Sequence, residues 1–102
     1  MEIYYDYEAI LSKAEEIRNT APKLLEAGDW DGIRELLTIS EEYWRGPAAN
    51  NYRGLVEIII ENKSDRAANA VSVIPRTLEL SVEQMKARDH EAAEAVRRHF
   101  GV

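Results

Sequence analysis

Apolar side chains recur along the first part of the chain at alternating steps of four and three: Ile3, Tyr7, Ile10, Ala14, Ile17, Ala21, Leu24 and then Gly28. On a helix that spacing lines up one face, as in the seam of a coiled coil. Glu2, Asp6, Lys13, Glu16, Arg18 and Lys23 fall off it. Pro22 lies inside the run, where proline costs about 3 kcal/mol, and Thr20 can cap a fresh helical start. A kink or break is therefore expected near residue 20. Gly28 suits a helix end and Asp29 the next N-cap. Beyond them Ile33, Leu36, Leu37, Tyr43 and Trp44 resume an apolar face. At about 100° per residue that face is displaced roughly a quarter turn, which a break or bulge between Gly28 and Gly32 would realign.

Trp44-Arg45-Gly46-Pro47-Ala48-Ala49 reads as a tight turn between helices. Gly46 can adopt the left-handed backbone that ends one helix, and Pro47 starts another well at its first position. A second run follows, through Tyr52, Val56, Ile59, Lys63, Ala67, Ala70, Ile74, Leu78, Val82 and Met85, widened by Leu55, Ile58 and Ile60 and interrupted by Pro75. No stretch alternates as an amphipathic strand does. The pattern predicts an all-α chain of one domain over residues 1–102, an antiparallel helical hairpin with kinked arms. Arm one covers about 3–44, the turn 45–47 and arm two about 48–100.

Two helices side by side leave a flank of each stripe open to water, and apolar area left open drives association. Two such hairpins would close a four-helix bundle. Ile3, Tyr7, Ile10, Ile17, Leu24, Leu36, Tyr52, Val56, Ile59 and Ile74 are the candidate pairing residues. Periodicity alone also fits plain core packing for each of them.

Composition narrows the function. The net charge is −6, a sign that repels phosphate backbones, and the one basic cluster, Arg97-Arg98-His99, complements a helix C-terminus. Nucleic-acid binding is not expected. The chain has no cysteine, so disulfides and thiolate chemistry are excluded. No apolar run reaches the roughly 18–20 residues that span a bilayer, so stable membrane insertion is not expected. The start, Met1-Glu2-Ile3-Tyr4-Tyr5-Asp6, is acidic where a signal peptide would be basic and then apolar. His90 and His99 fall on opposite helix faces at nine-residue spacing, and adjacent acids such as Glu15-Glu16 and Glu41-Glu42 point apart. Neither a phosphate loop nor a nucleophile elbow is present. The expectation is no enzyme, no metal and no cofactor.

Trp44-Arg45-Gly46, followed by Ala48-Ala49 and Tyr52 near the middle of the chain, resembles the turn of the WXG100 (ESAT-6-like) family. The resemblance implies a dimerising helical hairpin, cytoplasmic before export, then secreted through a type VII (ESX-like) system without a cleaved signal peptide. Such proteins are substrates, or small partners that escort larger LXG-type effectors. The implied partners are a second copy or another WXG100-like or LXG-type helical protein, together with the secretion ATPase. The implied recognition motif is Trp44 and Gly46 with His90 and Glu94, the last two standing for a family signal of an aromatic, three residues and an acid. Histidine here takes the place of the aromatic, which implies that a partner supplies the full signal. Trp44 then has two candidate roles, hydrophobic cap of the turn or contact for the ATPase. The alternative reading is a cytoplasmic helical interaction module unrelated to secretion.

Overall fold

Asp6 opens the first helix: its carboxylate accepts the Ala9 N–H at 3.0 Å, partnering an amide that the first turn leaves free. In the computed structural model, which describes residues 3–100 and their side chains as far as residue 88, this helix, α1, spans Tyr7–Glu26. Of the kink or break expected near residue 20, the break does not occur: α1 is continuous across Pro22. The proline sits exposed near the helix end, and the buried stripe Ile10, Ala14, Ile17 and Ala21 holds α1 across that position. Gly28, at φ +67°, ends the turn; its amide and that of Asp29 return to the carbonyls of Leu25 and Leu24 at 3.1 and 2.9 Å. Asp29 then caps α2, Trp30–Leu37, accepting the Gly32 N–H at 2.9 Å.

The loop over 38–43 returns to the start of the chain. The Asp6 N–H donates to the Tyr43 carbonyl at 2.7 Å. Tyr4–Tyr5 (β1) pairs antiparallel with Trp44–Arg45 (β2), Tyr4 opposite Arg45 and Tyr5 opposite Trp44. A ladder of two residues is too short to leave an alternating pattern in a sequence. Next comes α3, Pro47–Asn62, which ends at Lys63 in the left-handed conformation, φ 46°. Ser64 caps the last helix, its hydroxyl accepting the Ala67 N–H at 3.2 Å, and α4 runs Asp65–Phe100 without a break at the buried Pro75.

The expected two-armed hairpin is thus subdivided. Residues 3–44 hold two helices and most of a small ladder, and the second arm breaks at Lys63-Ser64. The chain is mostly helical, with four helices packing against each other. α4 is the spine. α1 lies along it in the opposite direction, with Arg18 meeting Glu79 at 2.6 Å and the Lys86 ammonium 5.3 Å from the Tyr7 ring. α2 folds back on α1 and touches α3, and α3 folds back on α4. Ile10, Ile17, Ile33, Leu37, Val71, Ile74, Leu78 and Val82 fill the centre.

This packing changes the reading of the stripes. The flank expected to lie open is covered from within by α2 and α3. Ile10, Ile17, Leu36, Tyr52, Val56, Ile59 and Ile74 are buried in the chain's own core, and Tyr7 and Leu24 pack half-buried against it. Of the candidate pairing residues, Ile3 stays exposed.

Candidate functional site: the Trp-x-Gly turn

The turn is assembled from three parts of the chain. β2 delivers Trp44 and Arg45, β1 lies beside them, and α3 begins at once after Gly46. Gly46 has φ +124° and ψ −176°, and Pro47 takes the first helical position, where its missing N–H costs nothing. The Tyr43 and Trp44 amides donate to the Ser40 carbonyl at 3.0 and 3.2 Å, which curls the chain just ahead of the turn.

Trp44 is 3% exposed. Its ring sits 5.5 Å from that of Tyr52, tilted by 40°. Tyr52 in turn donates its hydroxyl to the Leu37 carbonyl at 2.6 Å, tying the end of α2 to α3. The Arg53 guanidinium donates to the Trp44 carbonyl at 2.7 Å and the Ile39 carbonyl at 3.3 Å, clamping both ends of the returning loop. On the other face of the ladder the Arg45 guanidinium lies 4.8 Å over the Tyr4 ring and donates to the Glu41 carbonyl at 3.0 Å. The arrangement holds backbone carbonyls with fixed donors and packs one large aromatic between α3 and α4. Its geometry presents a turn.

Burial pushes the Tyr52 phenol well above its ordinary range. The neutral phenol is the form this site accommodates, so its contribution is complete below the unfolded value near pH 10 and is lost as pH rises toward the folded one. A Tyr52→Phe variant is expected to lose about 1–3 kcal/mol at neutral pH, because the Leu37 carbonyl loses its donor. Its stability is also expected to fall less steeply than the parent's above about pH 10. Denaturation curves at neutral and alkaline pH check both points.

Trp44 lies in β2 and Gly46 directly before α3. His90 and Glu94 lie outside the described residues as far as side chains go. Among the described residues no group of three or more His, Cys, Asp or Glu is placed to hold a metal ion, and no helix is long and apolar enough to cross a membrane. Sequence reasoning missed the Arg53 clamp, since a lone arginine on a helix carries no signal of which carbonyls it will reach. Val73 and Leu80 of α4 were also missed as exposed apolar positions, because they fall off the buried stripe. Compared with protein-family models, curated proteins and solved structures, the chain matches none.

Proposed function

We propose that the chain is a WXG100-like protein of a type VII secretion system, a substrate or a small escort for a larger LXG-type effector, acting by helix–helix pairing. It resides in the cytoplasm before export, and the secretion ATPase reads it. The observation that supports this reading is the turn itself. Gly46 at positive φ joins Trp44 to a proline-headed helix, and Trp44 packs on Tyr52, the aromatic that completes the motif.

A second reading, a helical interaction module unrelated to secretion, is favoured by a different observation. Trp44 is almost fully buried, so in this arrangement it offers little surface to an ATPase. One experiment separates the two. The tagged chain is expressed in a bacterium with a type VII system and in the same strain lacking its FtsK/SpoIIIE-like ATPase, each with and without a co-expressed LXG-type partner. The secretion reading expects the chain in the medium only when the ATPase is present. Retention in every strain overturns it and leaves the second reading.

A further inference from the structure

The cleft ahead of α3 gathers donors and cations but no acid. α3 begins without a cap: Gly46 has no side chain to offer, Pro47 has no N–H, and no acid stands in the first turn. The first amide of the helix to reach a carbonyl is that of Asn50, which donates to Gly46 at 3.0 Å. The amide of Ala48, an exposed residue bordering the cleft, reaches none among the described residues. The positive pole of α3 is thus left open at this end. Arg45 from β2 and Arg88 from α4 border the same cleft, and among the described residues that line it there is no carboxylate. Arg88 is exposed and forms no ion pair among the described residues.

A second observation points to an occupant. Trp44 is 3% exposed, yet its indole N–H meets no acceptor among the described residues. Buried donors are nearly always paired, so an unpaired one marks a place where something else can supply the acceptor. This N–H is not sealed from solvent, and the ring borders two clefts that meet at Ala48: this one, and its neighbour between α3 and α4. The remaining wall is apolar, with Ile3, Pro47 and Met85. The cleft measures about 310 Å³, at the lower end of the range of about 300–1,000 Å³ for small-molecule sites. Donors and cations select an anionic acceptor, and guanidinium groups match the flat fork of a carboxylate. The apolar wall selects a hydrocarbon body: a bare inorganic anion would leave that wall wet, and a plain hydrocarbon would leave the donors unpaired.

We propose that this cleft binds a small carboxylate with an aliphatic body, of the medium-chain fatty-acid class, its carboxylate held before the first turn of α3 between Arg45 and Arg88 and its chain laid along Ile3, Pro47 and Met85. The site goes beyond the secretion reading and does not depend on it, since it needs neither a partner chain nor an ATPase.

The test is a titration of isotope-labelled chain with octanoate, read by nuclear magnetic resonance at the Ala48 amide and the Trp44 indole N–H, with the Trp30 indole as internal reference. The first two resonances are expected to shift and saturate at millimolar octanoate or below, and the third to stay. Octylammonium, the same body with the opposite charge, is expected not to saturate, and acetate to bind about tenfold or more weakly because it lacks the body. Ala48→Glu sets the chain's own carboxylate at the open helix end. An acid there suits the helix dipole, so the variant is expected to fold and to lose octanoate binding. Arg88→Gln is expected to weaken binding roughly tenfold, while Ser12→Glu on α1 leaves it unchanged. Circular dichroism verifies folding; if Ala48→Glu does not fold, Arg88→Gln decides alone. Resonances that do not move with octanoate, or that respond as readily to octylammonium or acetate, overturn the proposal. So does binding that survives in the folded variants. A chain that is never exported leaves this site untouched, and a chain that ignores octanoate leaves the secretion reading untouched.

Discussion

An alanine at position 44 is expected to lower the free energy of unfolding by about 3–5 kcal/mol, the range for deleting a large buried aromatic. Trp44 is buried, packs on Tyr52 and pairs through its backbone with Tyr5, and it borders two clefts, one lined also by Ala48 and Leu78 and the other by Ile3 and Met85. The tilted contact with Tyr52 adds about 0.5–1.5 kcal/mol beyond area alone. Against a total of about 5–15 kcal/mol for an ordinary domain, this loss leaves a protein on the edge of unfolding. Urea denaturation measures it, and an unchanged midpoint would mean that the indole is not packed as described. The result bears on export too. An exposed recognition tryptophan could be removed with stability retained, but this one cannot. An export defect in Trp44→Ala therefore has to be set against a variant destabilised equally at a site far from the turn.

Valine at position 46 is expected to cost about 3 kcal/mol, and alanine somewhat less. The backbone there, φ +124° with ψ −176°, is a region open essentially to glycine alone, and holding another residue in it costs about 1–3 kcal/mol. Space adds to the strain. A Cβ on Gly46 would stand 3.4 Å from both Cγ atoms of Ile3, and the branches of valine would press further. The expected response is loss of the β1–β2 ladder before loss of the helices, since Ile3 leads directly into Tyr4–Tyr5. Thermal melts give the size of the effect, and amide exchange at Tyr4 to Asp6 shows whether the ladder opens first. A variant that melts with the parent would contradict the described turn.

The helices were legible where a local rule acted alone. Gly28 and Asp29 announced an end and a start, and both occur where the residue types demand. The stripe from Ile10 to Ala21 reads directly from its spacing. Lys63-Ser64 was read through as continuous helix, because the left-handed position is held by a lysine, without the glycine that usually marks it. The register of the second stripe slipped at one place for the same reason: Val71, not Ala70, is fully buried once α4 starts afresh at Asp65. The largest difference is tertiary. Nothing in a periodic stripe says whether it will be covered by a partner or by the same chain. Here the break at Gly28 lets α2 reverse and cover α1, and that one turn converts candidate interface into interior. At the candidate site a turn with positive φ at Gly46 was legible, but it leads from the two-residue strand Trp44–Arg45 into α3, not from one helix into another, and the burial of Trp44 is a tertiary outcome that local spacing does not carry.

The pairing of Tyr4–Tyr5 with Trp44–Arg45 has a consequence in time. It closes residues 4–45 into a ring that contains α1 and α2. Closing a ring of about forty residues carries an entropy cost that grows only with the logarithm of its length, but two residues of ladder repay little of it. The ladder is therefore expected to close late and to be an early piece to part, which amide exchange at Tyr4 to Asp6 would read. A steady pull on Ile3 would unfasten the middle of the chain before it disturbed either end of α4.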